Sequence, residues 1–119
     1  MNKYIVGAYL LLSSLVAQAE QWTETQKTLA ASYLIAHVID WGQTRYIAQT
    51  PDKSTEYNSI LGSHPSMAKV NTYFLLTPVL WYYALDNIPQ YRTAALTVLN
   101  LVQIGVVAHN YHVGIKVSF

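Results

Sequence analysis

Hydrophobic and polar positions fall in blocks along this chain. Three apolar runs, at about 28–48, 66–86 and 90–112, are each long enough to cross a hydrocarbon core of about 30 Å as a helix. Polar punctuation separates them. Thr50-Pro51-Asp52 ends the first run, because proline has no N–H to donate and pushes the preceding residue away from helical geometry. Asp86-Asn87-Ile88-Pro89 ends the second in the same way. Between them, residues 50–69 form the longest polar segment, and Ser63-His64-Pro65-Ser66 has the form of a helix start with a serine cap. Thr23 followed by Gln26, or Thr25 alone, is suited to cap the first helix, expected to begin near Thr28. Pro78 lies mid-way along the second run, where it frees the carbonyl of Phe74 and predicts a kink.

A shorter block precedes these three. Lys3, the apolar stretch Tyr4 to Val16 and the small residues of Ala17-Gln18-Ala19 have the layout of a secretory signal. Residues 1–19 therefore read as a signal peptide or, if retained, as a fourth membrane helix. The 16 residues of Tyr4 to Ala19 make about 24 Å of helix at ~1.5 Å per residue, short of a full span. Residues 20–119 read as one domain. The expected fold is an all-α membrane bundle with three spanning helices after that segment.

Composition points to the same place. The chain of 119 residues is 52% hydrophobic and only 11% charged, against roughly 25% charged in a soluble domain. A net charge of +1 gives no basic patch for nucleic acid. The absence of cysteine rules out disulfides, thiolate metal sites and a cysteine nucleophile. With Lys3 in the cytoplasm, Arg45, Lys53, Lys69 and Lys116 fall on that side too, and only Lys27 and Arg92 fall opposite. The positive-inside rule then puts the 50–69 loop and the C-terminus in the cytoplasm.

Polar residues inside the apolar runs carry the candidate chemistry. His37, Asp40 and Thr44 are spaced i, i+3, i+7 and share one helical face. Asn100, Gln103 and Asn110 form a stripe on the last helix, with His109 and His112 adjacent. Ionisable groups at membrane depth are costly and face a protein interior, so the two stripes are expected to face each other, with Gly105 and Ala108 allowing close approach. Two readings follow. The network fixes helix packing, or it forms a metal or proton site from His37, Asp40, Glu56, His64, His109 and His112, whose ligand types are suitable. No His-x-x-x-His or Glu-x-x-His pair supports a metal, and none is assigned. No cofactor is expected either. There is no nucleophile elbow, P-loop or dinucleotide fingerprint, and Ser66 reads as a cap rather than as a nucleophile beside His64. No catalytic residue is assigned.

Asp40-Trp41-Gly42-Gln43-Thr44, followed by Glu56-Tyr57-Asn58-Ser59-Ile60-Leu61-Gly62 and His64-Pro65-Ser66, resembles the pattern of a family of small bacterial and prophage integral membrane proteins. That pattern is Asp-Trp-x-Gln-Thr, then Glu-x-Asn-Pro-Ile-Leu-Gly-x-His-Pro-Ser, and Ser59 departs from it. The likeness covers roughly Trp22 to Phe119 and implies topology rather than an activity, with envelope modulation by a phage as the role it suggests. The residues themselves suggest a loop cap: Glu56 is placed to pair with Arg45, Asn58 to bond Thr44 or free helix-end carbonyls, and His64 lies nearby. The expected function is a non-enzymatic protein that associates, in the lipid bilayer, with itself or with a larger membrane partner. The alternative is a small proton or ion conductor or a metal-binding protein. Tyr111, Val113, Ile115, Val117 and Phe119 alternate as in a closing barrel strand, but a barrel needs at least eight such strands, so a short extension is expected there.

Overall fold

The computed structural model describes residues 2–7, 22–52, 54–56 and 58–119. Residues 3–7 are helical, and the proposed cleavage site at 17–19 lies outside the described residues, as do Lys53 and Tyr57. Three long helices follow: α1, Glu24–Gln49; α2, Met67–Asp86; and α3, Arg92–His112, entered through a short 3₁₀ turn, Pro89–Tyr91. No strand occurs among the described residues. The fold is all-α.

Local chemistry sets the helix ends. The Thr23 hydroxyl accepts from the Gln26 amide, while the Gln26 side chain accepts from the Thr23 amide, both at 3.1 Å. This capping box draws the polar turn 24–27 into the helix, so α1 starts at Glu24 rather than near Thr28. Ser66 caps α2 by accepting from the Lys69 amide. α2 then runs unbroken through Pro78. Gly114, at φ +87°, ends α3 in the left-handed conformation that glycine adopts without cost. The Ile115 amide returns to the carbonyl of Asn110, and the tail turns back toward α1.

α1 is the central element. It packs extensively against α3 and then against α2, whereas α2 and α3 touch little. Two apolar clusters close the ends of the bundle. Trp22, Leu85 and Leu96 form one, and Leu61, Val70 and Phe74 form the other, flanked by Trp41, Ala48 and Tyr73. Pro89–His112 is the one stretch among the described residues that is long and apolar enough by itself to cross a membrane.

Candidate functional site

Between the two apolar clusters the interior is polar. His37 is only 3% exposed. Its Nε2 donates to the carbonyl of Phe74 at 2.9 Å, the carbonyl that loses its helical partner because Pro78 has no N–H. The ring is held between Tyr33 and Phe74, with centroids at 5.4 and 4.8 Å. Its Nδ1 lies 3.2 Å from Oε1 of Gln103, whose Nε2 reaches Oδ2 of Asp40 at 2.7 Å. The Thr44 hydroxyl donates to Oδ1 of the same carboxyl at 3.3 Å. One chain of contacts thus runs from the backbone of α2, through α1, to α3 and back to α1.

The remaining members of the two stripes are distributed around this chain. Asn110 donates to Gln43, and Gln43 donates to the carbonyl of Val107. Asn100 crosslinks α3 to α1 by donating to the carbonyl of Leu29 as well as to that of Leu96. Its buried Oδ1 has no hydrogen-bond partner among the described residues. His109 and His112 are exposed and stay outside the network, as does His64 in the loop. Among the described residues, no group of three His, Asp or Glu side chains could hold a metal ion. Gly105 and Ala108 lie on the outer face of α3, not against α1.

The close approach falls instead at Gly42. A Cβ there would run into the side chains of Val117 and, at 2.6 Å, Phe119. The Ser118 amide donates to the Gly42 carbonyl at 3.0 Å. Arg45 fastens the tail from the other side: Nε donates to the Ser118 carbonyl, Nη1 donates to Asn71, and the guanidinium lies 5.6 Å from the Phe119 ring. Trp41 also donates to Asn71 and meets Phe119 edge-on. The Asp40–Arg45 segment therefore serves two surfaces, with Asp40 and Thr44 facing the interior network and Trp41, Gly42 and Arg45 facing α2 and the tail.

The loop folds onto α2. Asn58 bonds the Tyr73 hydroxyl through Nδ2, not Thr44, and its Oδ1 accepts from the Ile60 amide. Both Leu61 and Gly62 return their amides to the Asn58 carbonyl, with Gly62 at φ +83°. This tight turn drives Leu61 into the apolar cluster and leaves Ile60 exposed. Glu56 is half-buried, accepts from the Asn58 amide through Oε1, and donates its own amide to Ser63.

At the opposite end, Arg92, expected from the sequence only as a charge on the non-cytoplasmic side, is a buried cation. It is 3% exposed and donates to the carbonyls of Leu85 and Asp86 and to Gln26, with its guanidinium 4.6 Å from the Trp22 ring. It bonds carbonyls at the end of α2, where the helix runs out of its own donors, and shares that of Leu85 with the Ile88 amide. The only local signal was its position just after a helix stop. No family model matches the chain, and no characterised protein or solved structure was found to be similar to it.

Proposed function

We propose that this chain is a small, non-enzymatic integral protein of the bacterial inner membrane, crossing it three times and acting by helix–helix association with itself or with a larger membrane partner. One observation carries the reading. Between its two apolar clusters the bundle buries polar side chains while it leaves large apolar ones exposed. Gln26, His37, Gln43, Thr44, Arg92 and Asn100 are buried, while Ile35, Leu80 and Leu101 are 65%, 67% and 69% exposed. In water this arrangement wastes the hydrophobic driving force and forfeits hydration of the polar groups. In lipid it is the low-energy arrangement, since tails solvate the apolar belt and the polar side chains satisfy one another across helices.

The central position of α1 explains why it can carry the most polar residues and still span. Its polar face is turned to α2 and α3, which shield it from lipid. Association is favoured by the outer face of α3, where Gly105 and Ala108 sit among Leu101, Val102 and Ile104, since small residues let a second helix come close. A role in modulating a host envelope rests on the family resemblance alone.

Because the chain lacks cysteine, single thiols report position without background. Ser54→Cys and Asn87→Cys, treated in intact cells with a membrane-impermeant thiol reagent, are expected to differ. Asn87→Cys is labelled, and Ser54→Cys is labelled only after the cells are opened. Labelling of both in intact cells, or recovery of the chain in the carbonate-soluble fraction, would overturn the reading. Crosslinking in the membrane then tests association, and a strictly monomeric protein with no co-purifying partner counts against it.

A further inference from the structure

The contacts of His37, Gln103 and Asp40 fix how many protons they hold. The Phe74 carbonyl only accepts, so Nε2 of His37 carries a proton. The amide of Gln103 has one donating and one accepting end, and which end faces which partner is set by the bonding around it. In the orientation seen, Oε1 faces Nδ1 of His37 and Nε2 faces Oδ2 of Asp40. An accepting oxygen opposite Nδ1 requires a proton on Nδ1, so the ring is an imidazolium and Asp40 a carboxylate. With the amide turned over, Nε2 donates to a bare Nδ1, and Oε1 faces Oδ2, which must then carry the proton. Both arrangements contain the same two protons on ring and carboxyl and have no net charge. Remove one of the two, and either orientation leaves two acceptors facing each other at hydrogen-bond distance.

We propose that His37, Gln103 and Asp40 form a proton-binding site in which one proton is held either on His37 Nδ1 or on Asp40 Oδ2, the orientation of the bridging Gln103 amide matching the holder. The two arrangements differ by one N–H bond at His37 and one O–H bond at Asp40, and the amide keeps both of its own N–H bonds in each. Proton number and net charge do not change. Neutrality is what a low-dielectric interior demands of such a pair. The other titratable groups around it are Tyr33, stacked on the His37 ring, Tyr73 beside Tyr33, and Glu56 from the loop, whose charge acts on Asp40. Thr44 donates to the remaining oxygen of Asp40 and holds the carboxyl in place.

The inference depends on the interior of the bundle, not on orientation or association, so it stands or falls separately from the proposed function. The test is a count of protons in the unaltered chain, held in detergent micelles at neutral pH. Nitrogen-15 spectra of the histidine rings report His37, and carbon-13 spectra of the aspartate carboxyls report Asp40. His37→Gln and Asp40→Asn assign the two signals, and if His37→Gln fails to fold, substitution of the exposed His64, His109 and His112 assigns His37 by elimination. The expected total is two protons, either a doubly protonated ring with an ionised Asp40 or an Nε2–H ring with a protonated Asp40. A singly protonated ring beside an ionised Asp40, or a doubly protonated ring beside a protonated one, would overturn the proposal.

Discussion

Gly42 shows how much one missing side chain can decide. Its carbonyl accepts the Ser118 amide, and the space of its absent Cβ is taken by Val117 and Phe119. A methyl group there must displace the tail, because the helix backbone of α1 cannot give way. Overpacking of this kind costs roughly 1–3 kcal/mol, and the tail, attached at one end only, is the part that yields. Gly42→Ala is therefore expected to leave the helices intact and to release residues 115–119. Amide hydrogen exchange at Ser118 measures this directly, with protection in the parent chain and loss of it in the variant. Unchanged protection would mean that the tail is held by Arg45 alone. The sequence offered Gly105 and Ala108 for close contact, since they lie in an apolar helix, but the choice between glycines depends on helix rotation and on where the tail docks.

The middle of α2 depends on a group from another helix. Pro78 cannot donate to the carbonyl of Phe74, and His37 of α1 donates in its place. That the carbonyl would be free was legible from the sequence by counting four residues back from the proline. That His37 would fill it was not, because the pairing joins residues on separate helices and follows from their relative rotation. The same division holds elsewhere. The Thr23–Gln26 box and the Ser66 cap are local and could be read off directly, whereas Asn58 with Tyr73, or Arg92 with the end of α2, required the tertiary arrangement. The facing of His37 and Asp40 toward Gln103 lies between these cases, since helical spacing puts each set on one face but leaves the register open. A double-mutant cycle tests the His37–Pro78 link. His37→Phe keeps a ring but strands the Phe74 carbonyl, at a cost of about 1–3 kcal/mol. In a Pro78→Ala background the residue-78 amide can donate to that carbonyl, so the same substitution costs less, while its effects on Gln103 and Asp40 are common to both backgrounds. Unfolding free energies of the four proteins in mixed micelles give the coupling, expected at about 0.5–3 kcal/mol. Equal costs in the two backgrounds would show that His37 contributes nothing to the break at Pro78.

At the scale of the whole molecule, the described helices leave many large apolar side chains facing outward, and the solvent around them decides what that surface is worth. Leu76 and Leu101, near the centres of α2 and α3, are both exposed. If water surrounds them, a lysine at either site removes no contact and changes stability by no more than about 0.5 kcal/mol. If lipid surrounds them, the same lysine places a charge at the middle of the bilayer and opposes insertion by roughly 2.5–3.5 kcal/mol. The two cases are separated several-fold in energy, so one substitution on each helix suffices. Leu101→Lys is expected to lower the fraction of chains inserted in a translocon assay by about two orders of magnitude in the equilibrium ratio, since each 1.36 kcal/mol is tenfold. Leu76→Lys is the more demanding case, because α2 carries Pro78 and does not by itself meet the length and apolarity requirement, so that its insertion depends on α1 and α3 being present. The expected result is a comparable loss for both, with Ser118→Lys, at the predicted cytoplasmic boundary, inserting normally. Loss at Leu101 alone would reduce the bundle to a single spanning helix, the one stretch among the described residues that meets the length and apolarity requirement unaided, with α1 and α2 packed against it outside the hydrocarbon.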